Sequence, residues 1–97
     1  MKYLIKESQI KKFIWNYFDS KDYDIAEDEV EIFLIDENGN TDWNYVFEGG
    51  RLFVDNNIIT AVEGMFGVSF DDALDYAGQW FEEKYDFPVE EIINWNL

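Results

Sequence analysis

Residues 30–54 read VEIFLIDENGNTDWNYVFEGGRLFV, and two dipeptides within that stretch decide the fold. Asn38-Gly39 and Gly49-Gly50 each suit a two-residue hairpin turn, whose central positions favour residues that tolerate positive φ. Centring the first hairpin on Asn38-Gly39 pairs Leu34 with Trp43, Ile32 with Tyr45 and Val30 with Phe47. Centring the second on Gly49-Gly50 pairs Glu48 with Arg51, Phe47 with Leu52 and Tyr45 with Val54. Side chains alternate faces along a strand. One face therefore collects Val30, Ile32, Leu34, Trp43, Tyr45, Phe47, Leu52 and Val54. The other is mixed, with Glu31, Phe33, Ile35, Asn44, Val46, Glu48, Arg51 and Phe53. Two independently placed turns agree on one apolar face, and a one-residue slip in either would destroy the agreement. The expectation is a three-stranded antiparallel meander with Trp43 and Tyr45 in the core.

Helical periodicity flanks the meander. Upstream, Ile10, Phe13, Ile14, Tyr17 and Phe18 form one stripe of a helix from Ser8, read as its N-cap, to Asp19. Residues 2–5 read as a short strand or an extended lead-in. Downstream, Asn56 or Asn57 caps a helix carrying Ile58, Ala61, Val62 and Met65 and ending near Gly67. Ser69-x-x-Asp72 opens a further helix to about Tyr85, with a stripe of Phe70, Ala73, Leu74, Ala77, Phe81 and Tyr85. Pro88 suits the first turn of a last short helix through Trp95, with a terminal strand as the alternative. The predicted class is α+β, a single domain over 1–97, with three to four helices packed mainly on one face of the sheet.

Charge sets the functional question. The 97 residues hold 22 Asp and Glu against 7 Lys and Arg, a net charge of −15, yet 20% of them are aromatic. Acidity of that degree with few hydrophobes would mean disorder, and the aromatics instead require a packed core. The charge is uneven. Residues 1–21 hold five Lys against Glu7 and Asp19, a net of +3, whereas residues 22–97 hold twenty acids against Arg51 and Lys84, a net of −18. Direct nucleic-acid binding needs a basic stripe. It is disfavoured here, as is docking to an anionic membrane, and a basic protein partner is favoured. There is no Cys, no apolar leader and no membrane-length apolar run. These features fit a cytoplasmic protein.

Two acidic segments are candidate partner surfaces. On the helix after Ser69, Asp72, Asp75, Gln79, Glu82 and Glu83 project away from the apolar stripe, and Asp86, Glu90 and Glu91 extend the row. Side chains three or four apart on a helix stand about 5–6 Å apart, comparable to successive phosphates on one strand. The row can therefore imitate a nucleic-acid backbone, against the simpler reading of a solvated helix face. The second segment, with Asp22, Asp24, Glu27, Asp28 and Glu29, reads as a hydrophilic loop or a flexible anionic arm that steers association. Trp15, Trp80 and Trp95 at stripe edges, and Phe33, Val46 and Phe53 on the second sheet face, read as core covered by the first helix. The alternatives are an apolar hot spot in an acidic rim or a homodimer seam.

Other chemistry is excluded or disfavoured. Asp36, Asn38, Asn40 and Asp42 alternate like a calcium loop, but Thr41 stands at its glycine position and Phe47 at its glutamate position. The absence of His and Cys removes Ser-His and Cys-His nucleophile pairs and the common zinc and haem ligands. No Gly-rich phosphate loop is present. No cofactor, metal or catalytic residue is expected.

The opening KYLIKESQIKKFIWNYFD (residues 2–19) resembles the start of many small tailed-phage proteins. The later GMFGVSFDDALDYAGQWFEEKYDF (residues 64–87) resembles an FGL…W…E segment in the same group. The acidity is similar in style to phage DNA-mimic inhibitors of restriction and CRISPR nucleases. The resemblance implies a phage accessory protein and carries no function of its own. The expected function is an acidic protein-binding module, an inhibitor that occupies the basic nucleic-acid-binding surface of a host or defence protein. The alternatives are an immunity- or antitoxin-like protein that neutralises a basic toxin, and a non-catalytic virion or assembly component.

Overall fold

A computed structural model describes residues 7–95, so the lead-in expected at 2–5 lies outside the described residues. The chain runs α1 (Glu7–Asp19), β1 (Asp24–Glu27), β2 (Glu31–Ile35), β3 (Thr41–Val46), β4 (Arg51–Asp55), α2 (Asn56–Phe66), α3 (Phe70–Tyr85) and β5 (Glu91–Trp95). It is α+β, as the residue pattern implies. The sheet is larger than the meander: among the described residues it has five strands in the order β1-β2-β3-β4-β5, antiparallel except for the parallel pair β4–β5.

The central register holds where the hydrophobic pattern demands it. Leu34 pairs with Trp43 and Ile32 with Tyr45. The turn that produces this pairing is different from the expected one. Asp36 N–H bonds Asn40 O and Gly39 N–H bonds Asp36 O, which closes a three-residue loop in which only Gly39 has positive φ (83°). A bulge then places Asp42 as an extra residue between Ile35–Thr41 and Leu34–Trp43. Loop and bulge together restore the register that a two-residue turn would have given. The second turn is longer as well: Val46 pairs with Arg51 and Tyr45 with Leu52, leaving Phe47–Gly50 as a four-residue loop. The pairing differs from the expected one by two residues, so every side chain keeps its face.

Two elements correct the sequence reading. The acidic segment after α1 is not a flexible arm, because Asp24–Glu27 pairs with β2 as an edge strand. Asp28 Oδ1 accepts from Val30 N–H (2.8 Å) and Glu31 N–H (2.9 Å), turning the chain into β2. The C-terminal segment is not a helix. Glu91–Trp95 is β5, the strand alternative, and Ile92 pairs with Leu52.

The helix boundaries follow local chemistry. Gly67 ends α2 in the left-handed conformation (φ 65°), and the Ser69 hydroxyl caps α3 by accepting from Asp72 N–H at 3.1 Å. Asp55, not Asn56 or Asn57, holds the N-cap position of α2, and Ser8 lies inside the first turn of α1 instead of capping it. Among the described residues three helices form, and they pack on one face of the sheet. Ile32, Leu34, Trp43, Tyr45, Leu52 and Val54 are buried there against Ile14, Phe18, Trp80 and Phe81. Three expected core residues lie outside: Val30 is 59% exposed, Phe13 51% and Met65 54%.

The turn before β4 also ties down the chain that leads into β5. Gly50 O accepts from Glu90 N–H (2.8 Å), and the Tyr45 hydroxyl donates to Pro88 O. Gly50 has φ 57°, and a Cβ there would stand 2.9 Å from Pro88 O. Gly50→Ala should therefore cost about 2 kcal/mol in left-handed strain alone. The loss should appear as a lower denaturation midpoint and faster amide exchange in β5, and an unchanged midpoint would contradict this role for the turn.

Candidate functional site

α1 and α3 are joined by a reciprocal arrangement of one carboxylate from each helix. Asp19 on α1 accepts from Trp80 Nε1 (3.0 Å) and pairs with Lys84 Nζ (2.9 Å), both on α3. Glu83 on α3 accepts from Trp15 Nε1 (2.8 Å) and pairs with Lys11 Nζ (3.3 Å), both on α1. Each donor pair is spaced i, i+4, so its two members lie on one helix face. Hydrogen bonding from Lys84, then from Trp80, holds the Asp19 carboxyl below its ordinary value. Trp15 and then Lys11 do the same for Glu83. These are the two ion pairs among the described residues, and both are spent on the helix seam.

The seam changes the assignment of the predicted site. Glu83 is a structural anchor, not a free member of the acidic row. Trp80 is core at 1% exposure, and Trp15 is half-buried against Tyr76. Asp72, Asp75, Gln79, Glu82 and Asp86 are all exposed along the outer side and C-terminal end of α3. Glu82 Oε1 also accepts from Val89 N–H at 3.3 Å. Glu90 and Glu91 are exposed at the start of β5, close to the α3 C-terminus. Asp22, Asp24, Glu27, Asp28 and Glu29 are exposed on and around the edge strand β1, where they form a second acidic rim.

The second sheet face is not covered by α1, which packs on α2 and α3 on the opposite side. Phe33, Val46, Phe53, Ile93 and Trp95 are partly buried there, and Phe53 and Trp95 meet edge-on at 6.0 Å. Ile93 and Trp95 join this face only because residues 91–95 are a strand in register with β4, a placement that a helical reading of that segment hides.

A third feature was not singled out from the sequence. Tyr17 from the last turn of α1, Lys21 just after it, Asp36, Thr41 and Asp42 from the β2–β3 hairpin, and Asp55 at the start of α2 line a cleft of about 480 Å³. Asp42 and Asp55 are each only 8% exposed. Burial, opposed by the Tyr23 hydroxyl and reinforced by Asp36 and Asp55, pushes the Asp42 carboxyl up. The Tyr23 hydroxyl and Trp43 Nε1 are buried beside it without a partner in hydrogen-bonding geometry, so the three are neighbours and not a bonded network. The signal in the sequence was the alternation Asp36-Asn38-Asn40-Asp42. It marks a bulged hairpin, and among the described residues no group of acids converges as metal ligands do.

No helix among the described residues is long and apolar enough to cross a membrane. Comparison with family models, with curated proteins and with solved structures found no match to this chain.

The seam yields a pH prediction. A carboxyl whose folded pKa lies below its unfolded value of about 3.9 stabilises the fold above that value, and the contribution is lost as pH falls through the folded pKa. Asp19→Asn should therefore lower stability at pH 7 by about 1 kcal/mol or less, since the pair is partly solvent-screened. The gap to wild type should narrow as pH falls below about 3.9 and close once pH is below the folded pKa of Asp19. A gap that persists in acid would mean that Asp19 acts through packing and not through charge.

Proposed function

We propose that this chain is a non-catalytic protein-binding module whose acidic face docks on a basic, nucleic-acid-handling surface of a partner protein. The observation that carries the reading is the imbalance of the exposed charge. Lys84 and Lys11 are consumed by Asp19 and Glu83, so Asp72, Asp75, Glu82 and Asp86 face solvent with no ion pair among the described residues. Ordinary surfaces intersperse the two signs. Like charges left together on one helix destabilise it, and a complementary cationic surface relieves that cost. Glu90, Glu91 and the rim around β1 widen the field that draws such a partner in. A phage inhibitor that fills the channel of a host or defence nucleic-acid enzyme fits this chemistry.

The open sheet face supports a second reading. Phe33, Phe53 and Trp95 offer rigid aromatic anchors within an acidic surround. That composition suits an immunity- or antitoxin-like protein that grips a basic toxin through its sheet.

The two readings separate by mutation. Asp72, Asp75 and Glu82 reversed to Lys, with Glu83 left intact, should abolish capture of basic proteins from a host lysate while the melting transition survives. Double-stranded DNA should displace the same proteins from the wild-type chain, and capture should weaken steeply with salt. Capture that survives row reversal and is lost in Phe33→Ala/Phe53→Ala would overturn the mimicry reading in favour of the sheet face.

A further inference from the structure

We propose that the outer edge of β5 docks an extended, basic segment of a partner protein, which adds to the sheet as a further strand. The sheet ends at β1 on one side and β5 on the other, and each pairs with a single strand among the described residues. An edge strand offers unpaired backbone N–H and C=O groups, and proteins normally blunt it with charge, proline or a bulge. β1 is blunted. It reads Asp24-Ile25-Ala26-Glu27 with every residue exposed, and Asp22, Asp28 and Glu29 flank it. β5 is not. It reads Glu91-Ile92-Ile93-Asn94-Trp95, and its one charge lies at its first residue. It runs in unbroken register along β4, from Arg51–Glu91 to Asp55–Trp95, and Pro88 lies before it, outside the strand. Ile92 lies on the helical side, against Gly78 of α3. Ile93 and Trp95 lie on the other face with Phe53. All three apolar side chains of β5 are only partly buried, so an added strand has apolar surface to cover on both faces.

The charge around this edge selects the occupant. Glu90 and Glu91 are exposed where β5 begins, and Glu82 and Asp86 are exposed at the end of α3. The Glu82 carboxylate accepts from Val89 N–H at 3.3 Å, which holds that helix end beside the chain entering β5. Arg51 stands opposite Glu91 in register but forms no ion pair among the described residues. A second copy of this chain would bring a net charge of −15 to the same edge, whereas a strand bearing Lys or Arg brings the opposite sign. Backbone pairing supplies affinity in strand addition, and alternate side chains supply specificity. Apolar residues at every second position continue the face of Phe53, Ile93 and Trp95. The cations between them then project to the side of the sheet that carries α3 and its acids.

The inference rests on the basic-partner reading for the sign of the charge, and the edge itself is testable with a defined probe, an acetylated and amidated nonapeptide of alternating Lys and Val. Titration followed by amide chemical shifts should move Ile92, Ile93, Asn94 and Trp95, and amide hydrogen exchange in β5 should slow. Backbone N-methylation of two successive central residues keeps the peptide's charge and removes a ladder donor from either of its edges. It should weaken binding by about tenfold or more. Glu90→Gln/Glu91→Gln leaves the strand backbone unchanged and should weaken binding by about threefold or more. Equal affinity of the methylated and unmethylated peptides, or shifts confined to the α3 row or to β1, would overturn strand addition at β5 and leave the basic-partner reading intact. Equally tight binding of the same peptide with Gln in place of Lys would overturn the basic occupant and count against the basic-partner reading as well. A free chain that sediments as a dimer with slowed exchange in β5 would assign the edge to a second copy and overturn the proposal.

Discussion

The contact between Trp43 and Trp80 is the interaction on which the rest of the molecule depends. Their ring centres stand 4.9 Å apart, joining the central strand β3 to the helix α3. Phe18 from α1 lies 5.2 Å from Trp43 and 5.1 Å from Trp80, so one aromatic cluster ties both helices to the sheet. Phe81 and Tyr45 extend it toward Phe87 and the chain leading into β5. Large aromatic side chains bury much apolar area each and gain further from edge-on and tilted contacts. That density lets a chain with a net charge of −15 stay folded while most of its acids stand outside.

The same cluster explains which parts of the fold were legible. The Leu34–Trp43 and Ile32–Tyr45 pairs were readable because burial of one face penalises any odd-numbered slip. Turn chemistry was a weaker guide. Asn38-Gly39 does carry its hairpin, but through a three-residue loop and the Asp42 bulge, and Gly49-Gly50 ends a four-residue loop. Those differences leave the faces unchanged, which is why Ile32, Leu34, Trp43, Tyr45, Leu52 and Val54 are buried as expected although Val30 is not. β1 was missed because Asp24-Ile25-Ala26-Glu27 is exposed on both sides. An edge strand of that kind has no hydrophobic alternation to read, and its charge protects it from edge-to-edge pairing. β5 was ambiguous because Pro88 suits a helix start as well as a lead into a strand, and only the docking of Ile92 against Leu52 and Gly78 decides the matter.

The acidic surface was only partly legible. Helical periodicity placed Asp72, Asp75 and Glu82 on the outside correctly. It placed Glu83 there too, although the Trp15 and Lys11 donors that bind it are 68 and 72 residues away in sequence. Long-range pairing of this sort leaves no local trace. The cleft acids were hidden for the same reason, since Asp42 and Asp55 line one cleft only because the bulged hairpin faces the β4–α2 junction. At the seam each acid is matched by an indole and an ammonium.

The central physical claim is that the free chain carries uncompensated anionic repulsion, held by the aromatic core and available to a cationic partner. The most direct measurement is the melting temperature of the free protein at pH 7 across rising NaCl. Salt screens exposed charges, with a Debye length falling from about 30 Å at 0.01 M to about 8 Å at 0.15 M. The account predicts a clear rise in melting temperature over that interval. A melting temperature that stays flat or falls would show that the acids are already compensated within the fold and would contradict it.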